Sequence, residues 1–319
     1  MSMWKLRASM LGTIAVIIGI STLFFAAILS LAGISFMILP FIIVLFNLVQ
    51  WLIAPYLIDA MYRVKEASRT ENLELYKMVE NLSRKSGIKT PKVMIAHVPI
   101  PNAFAYGSPI AGSRVAVTAE LMKTLETEEA EAVISHELGH LKHRDVQVMM
   151  FVSILPALFY YVGYSMLLSS YYRSRDERGG GAAIIGAVSM ILYWVLTMFA
   201  LYLSRLREYY ADRHSAIILE EGPRKLSEAL AKIQHSTGKI RRMHRDASGF
   251  SSLKTLFIAD PDHAEADTIA IARGRALMTD QRLVEEVLKR KVTTLDRIAE
   301  LFSTHPNIVK RLRALQELA

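Results

Sequence analysis

Three stretches of this 319-residue chain contain no Asp, Glu, Lys or Arg: residues 8–58, 146–172 and 179–204, together about a third of the sequence. A helix needs roughly 20 apolar residues, at about 1.5 Å of rise each, to cross a hydrocarbon core of about 30 Å. Uncharged runs of this length predict that the chain folds partly inside a bilayer. The first run is long enough for two crossings, 11–32 and 36–58, with a short turn at Gly33, Ile34 and Ser35 and with Pro40 and Pro55 near the ends of the second. The later runs give crossings at 146–168 and 183–204, joined by 169–182, where Gly179, Gly180 and Gly181 read as a turn. Two membrane hairpins result. A cleaved signal peptide competes for the N-terminus, because Lys5 and Arg7 precede the apolar run. That run is longer than the usual apolar region of about 7–15 residues, and a second apolar helix follows it.

Lys and Arg near the helix ends set the orientation. With both termini and the central segment on one side, that side holds Lys5, Arg7, Arg63, Lys65, Arg69, Lys142, Arg144, Arg205, Arg207 and Arg213; the other holds Arg173, Arg175 and Arg178. The imbalance places the soluble part in the cytoplasm. Much of the excess positive charge behind the net +8 lies beside the apolar runs and in a late stretch, which points to a lipid surface before nucleic acid. No Walker loop, dinucleotide fingerprint or complete internal repeat is present, so neither a nucleotide nor a nucleic acid is expected as a partner.

The chain has no Cys, which excludes disulfides, thiolate catalysis and Cys-ligated zinc; a metal site would have to use His and carboxylates. Residues 127–145 read as a helix with Thr127 as its cap and Glu128, Glu129 and Glu131 where the helix dipole favours anions. Inside it lies His136-Glu137-Leu138-Gly139-His140. Two His at i and i+4 share one helix face and can reach a single Zn²⁺, while the intervening Glu is placed to take a proton from the attacking water. His143 continues the face, but it lies about 10.5 Å from His136 along the axis, too far for both to bind one ion. Its expected place is beside a ligand or at headgroup level. The best third ligand by position is Glu208, where the last crossing leaves the membrane. If both hairpins are antiparallel, that exit and the start of the third crossing share one membrane face. Asp212, one turn later, could accept the free N–H of a ligating His; the competing reading is a charged helix end pairing with Arg205 and Arg213. Two short strands are also expected, 92–96 and 113–119; the second could pair with an extended peptide, and the competing reading, favoured by base rate, is an ordinary internal strand.

Five ordered signatures resemble HtpX-type membrane zinc peptidases and, more distantly, the CaaX prenyl proteases. They are the hydrophobic hairpin, Pro101-Asn102-Ala103-Phe104-Ala105-Tyr106-Gly107, the His-Glu-Leu-Gly-His helix, the second hairpin leading to Glu208 and Asp212, and Ser303-Thr304-His305-Pro306 with Arg311. The resemblance implies that His136, His140 and Glu208 bind one zinc, that Glu137 is the catalytic base, and that Asp212 supports the site. It also implies that Asn102 lies in the substrate groove and that His305 and Arg311 approach the metal from the C-terminal segment, where they could stabilise the oxyanion; the competing reading is that they cap and solvate a terminal helix.

The expected fold is a mainly α membrane protein: four transmembrane helices in two hairpins plus a cytoplasmic α+β zincin-like peptidase domain with a small sheet. Its parts are a hairpin at 1–60, catalytic parts at 61–145 and 205–319, and a second hairpin at 146–204. The expected activity is zinc-dependent cleavage of unfolded or membrane proteins at the cytoplasmic face of the cell membrane, in protein quality control. Val115 and Val117 are the expected peptide-pairing positions on the second strand. The rivals are a CaaX-type prenyl-peptide protease and a metal-binding transport protein. Four crossings are too few for the first, and the near absence of ionisable residues within the crossings argues against the second.

Overall fold

In a computed structural model of the chain, residues 38–172, 179–243 and 279–319 are described. The elements run α1 (Ile38–Met61), β1 (Val64–Glu66), α2 (Leu73–Ser86), β2 (Lys92–Ala96), β3 (Ala103–Ser108), β4 (Gly112–Thr118), α3 (Ala119–Thr124), α4 (Thr127–Lys142) and α5 (Asp145–Tyr172). They continue with α6 (Gly179–Ile218), α7 (Gly222–Met243), α8 (Asp280–Lys289), α9 (Thr294–Leu301) and α10 (Ile308–Gln316). The described residues divide into two compact units: one holds 52–146, 207–243 and 279–319, the other 38–51, 147–172 and 179–206.

The sheet of the first unit is mixed, in the order β1-β2-β4-β3. β4 runs parallel to β2 and antiparallel to β3, with Ala105 opposite Val115 and Tyr106 opposite Arg114. The period of two sorts the side chains cleanly. Val93, Val115 and Val117 enter the main core with Leu82 of α2, Val133, Ile134 and Leu138 of α4, Leu230 of α7 and Leu312 of α10. On the other face, Phe104, Tyr106, Met94 and Ala116 pack with Tyr62. This arrangement overturns the expectation that β4 pairs with a peptide. Neighbours occupy both of its sides, and Val115 and Val117 are 1% and 2% exposed, so β3 and not β4 is the edge beside α4.

Among the described residues three helices are long and apolar enough to cross a membrane, with spans at Val44–Met61, Asp145–Tyr171 and Gly181–Ile218. The expected crossing at 11–32 lies outside the described residues, as do the arginines at 173–178. Gly179, Gly180 and Gly181 do not form a turn; they begin α6, which then runs unbroken well past residue 204. Within the second unit Val152 and Phe159 of α5 pack against Leu196 and Leu203 of α6. The backbones approach closely where Gly163 faces Gly186: a Cβ on Gly163 would lie 3.1 Å from the Gly186 carbonyl oxygen. Small residues permit such contact between helices that lipid does not drive together.

Leu82, 1% exposed in the main core, gives a direct test of this packing. Leu82→Ala should destabilise the detergent-solubilised protein by about 2–5 kcal/mol. A thermal transition unchanged from wild type would place Leu82 outside the core.

Candidate active site

α4 begins differently from the expectation. Glu126 is its N-cap, its backbone N–H donating to Glu129 Oε2 at 2.8 Å, while Thr127 is the first helical residue. Glu129 is buried and meets Lys232 of α7 at 2.7 Å, which offsets the cost of burying its charge. At the other end His143 caps the helix, and Arg144 adopts a left-handed φ of 55° that re-aims the chain into α5. Arg207 of α6 secures the break by donating to the His143 carbonyl at 2.8 Å and by pairing with Asp145. The His143 ring packs on Tyr210 at 4.3 Å between centroids.

The last part of α6 lies beside α4. Ser215 Oγ donates to the Ala132 carbonyl at 2.7 Å, and a Cβ added to Gly139 would meet Ala211 and His214 at 3.2–3.3 Å. The glycine in the motif lets the two helices approach closely. His214 is in turn held by Ser86 Oγ at 3.0 Å from its Nε2.

This packing assembles the site. His136 and His140 present their Nε2 atoms to each other at 3.2 Å. Glu208 Oε2 is 3.7 Å from His136 Nε2, and Oε1 is 3.4 Å from His140 Nε2. Each Nδ1 faces a different carboxylate: Asp212 Oδ1 is 2.9 Å from His136 Nδ1, and Asp145 Oδ2 is 2.6 Å from His140 Nδ1. A carboxylate that accepts the Nδ1 proton, as Asp145 is placed to do for His140 and as Asp212 stands nearest to do for His136, leaves the neutral ring's lone pair on Nε2. Two lone pairs and a carboxylate thus converge with no donor among them, at separations that ligands of one tetrahedral ion require. His136, Glu137 and His140 also offer ligand atoms within 4.8 Å of one another. Of the two carboxylates, Glu208 suits the ligand role, because Glu137 is engaged elsewhere.

Two further observations test the fit to a cation. Among the described residues, Glu137, Asp145, Glu208 and Asp212 are buried beside the two histidines, with Arg207 paired to Asp145 and Arg311 to Asp212 and Glu208. The His140 imidazole is pushed upward in pKa: burial opposes its protonation, but the adjacent Glu208 outweighs it, so the site draws positive charge. In addition, Glu208 Oε2 and both ring nitrogens of His305 are buried without a well-aligned hydrogen bond among the described residues. The donor set fits zinc.

Glu137 is held by β3: the Ala105 N–H donates to its Oε2 at 2.9 Å. Burial, the largest influence on it, raises its pKa above the ordinary carboxylate value. His305 Nδ1 lies 3.0 Å from Glu208 Oε2. Arg311, 1% exposed, spends most of its guanidinium on the carboxylates, reaching Asp212 at 2.6 and 2.9 Å and Glu208 at 3.2 Å. Its immediate role is to brace them. Glu208 and Asp212 therefore pair with Arg311. Asn102 departs from expectation: it is fully buried just before β3, its N–H donating to Thr118 Oγ1 and its carbonyl accepting from the Thr118 N–H, both at 2.9 Å, so its side chain presents no surface to a substrate. Sequence reasoning missed Asp145, Arg207 and the Ala105 N–H. Asp145 had a signal, as the last charge before a membrane run and one turn beyond His140.

Membrane-length helices joined to a small mixed sheet, with a buried His-Glu-x-x-His helix, a carboxylate from α6 and an edge strand alongside, define the class: a membrane peptidase. The sequence profile of Peptidase family M48 matches residues 69–319, and the chain belongs to that family. It is 37% identical to a protease HtpX homolog of Thermoplasma acidophilum over 88% of this chain and 85% of that protein. It is 38% identical to one from Aeropyrum pernix, over 91% and 88%. A protease HtpX homolog 2 of Saccharolobus solfataricus is 35% identical over 99% of both. Among solved structures, that of S. mikatae Ste24p shares the fold with a TM-score of 0.53 at 16% identity, covering 98% of this chain and 66% of that one.

Asp212→Asn should weaken zinc binding about 10–100-fold, because the ring it orients loses its fixed tautomer. Competition with a chelator measures this. An affinity equal to wild type would show that Asp212 does not set the His136 ring.

Proposed function

We propose that the protein is a zinc-dependent endopeptidase that cleaves unfolded or membrane proteins at the cytoplasmic face of the cell membrane, in protein quality control. The observation that carries the reading is the convergence of His136 Nε2, His140 Nε2 and the Glu208 carboxylate beside the buried Glu137. Those three side chains would hold one zinc, which when bound supplies Lewis acidity toward a peptide carbonyl and acidifies water.

The chain's own groups do the rest. Glu137, with its pKa raised by burial, accepts the proton of the attacking water and returns it to the leaving nitrogen. The Ala105 N–H fixes one of its oxygens and leaves the other for that transfer. His305, beside Glu208, and Arg311 add positive or hydrogen-bonding character near the developing oxyanion. The edge of β3 away from β4, which no strand pairs among the described residues and whose Ala105 N–H is given to Glu137, offers its remaining main-chain groups to an extended substrate, selecting backbone more than sequence. Orientation rests on the Lys and Arg imbalance across the apolar runs.

Glu137→Gln should keep one zinc per chain while cleavage of an unfolded protein falls by about 10²–10⁴-fold or more. Cleavage at the wild-type rate would refute the assigned base. A preference for a prenylated peptide over unfolded protein would replace the substrate class. For orientation, the absence of native Cys permits single-site labelling. Lys85→Cys, on an exposed position of α2, should resist an impermeant maleimide in intact cells and react after lysis; labelling in intact cells would reverse the topology.

A further inference from the structure

We propose that Asp59, near the end of α1, is a positioning residue for Glu137 that acts through β3; the inference rests on Glu137 being the base. Asp59 is the one Asp, Glu, Lys or Arg in the apolar span Val44–Met61. A charge in such a setting is costly and calls for a partner and a role.

Its carboxylate joins two strands. Oδ1 accepts from Tyr106 Oη of β3 at 2.6 Å, and Oδ2 pairs with Arg114 of β4. Tyr106 and Arg114 are direct cross-strand partners, so one side chain ties the pair together from above the sheet. Arg114, whose side chain is 9% exposed, also lies over the Tyr56 ring of α1 at 5.4 Å. Ser108 Oγ adds a second tie from the end of β3, donating to the Leu52 carbonyl at 3.2 Å.

β3 needs these ties because, among the described residues, it is an edge strand with a ladder on one side only. The residue next to Tyr106 is Ala105, whose N–H points away from β4 to Glu137 Oε2 at 2.9 Å. The position of Glu137 thus depends on where β3 lies, and β3 is held on its opposite face by Asp59. Loss of the carboxylate would leave Arg114 buried without its anionic partner and Tyr106 without its acceptor, and the strand would gain freedom at the N–H that orients the base.

The test uses the full-length, zinc-loaded protein in detergent, with Asp59→Asn and Tyr106→Phe. In both, kcat on an unfolded protein should fall about 10–100-fold, the size expected when a reacting group is slightly misplaced. Zinc content should stay at the wild-type level, since neither residue touches His136, His140 or Glu208. Amide exchange of the peptide covering Ala103–Ser108 should accelerate in both variants. Unchanged kcat, or unchanged exchange, overturns the proposal; a fall in kcat matched by lost zinc shows a merely structural role and overturns it as well. If Asp59→Asn fails to fold, Tyr106→Phe, which removes one hydroxyl, decides by the same readouts. If the wild-type protein cleaves nothing, the peptidase reading fails, while the exchange data still decide whether Asp59 holds the strand that holds Glu137.

Discussion

Two imidazole lone pairs and a carboxylate are held together in a buried place with no donor among them, and the rest of the catalytic unit is arranged around that constraint. Such a cluster is stabilised by a cation, and part of that stabilisation comes from the Arg311 guanidinium on Glu208 and Asp212. Its members cannot escape it by turning. Asp212 and Asp145 lock each ring at Nδ1, and Arg311 pins Asp212 and Glu208 from the side. α4 supplies both rings one turn apart; α6 supplies Glu208 and Asp212 one turn apart; the closeness of Gly139 to Ala211 and His214 brings the two helices into register. The charged network is thus built into the packing of α4 on α6, so its members serve fold and chemistry together.

How much of this was legible in the sequence depended on how local each feature was. The His136 to His140 spacing is a property of one helix turn and could be read directly. The pairing of Glu208 with the histidines needed two distant helix segments to meet, which the hairpin pattern and the family resemblance supplied together. Asp145 was hidden by the left-handed Arg144, a break that nothing in Leu141-Lys142-His143-Arg144 announces. β3 was not read as a strand, because Ala103, Ala105 and Gly107 dilute its β-forming residues; it is a strand because Phe104 and Tyr106 bury against Tyr62. The error over Val115 and Val117 has the same origin. Whether β4 is an edge or a centre is decided by where β3 folds back, and that is a tertiary fact. Gly179, Gly180 and Gly181 show context overriding local propensity, since turn-forming residues were drawn into a long helix.

The charge-free runs also take on a more specific meaning. They place the protein in the membrane, and two of the long helices carry residues of the candidate site outside the charge-free stretch: Asp145 starts α5, and Glu208 and Asp212 lie toward the end of α6. Membrane helices in this family member therefore contribute side chains to the site as well as location.

The central claim is that one zinc is held by two imidazoles and a carboxylate. Zinc X-ray absorption on the purified full-length protein tests it most directly. The account predicts one zinc per chain, with two imidazole nitrogens at about 2.0–2.1 Å and oxygen ligands at about 2.0–2.2 Å. Substoichiometric zinc, or a spectrum fitted by a single imidazole, would contradict it.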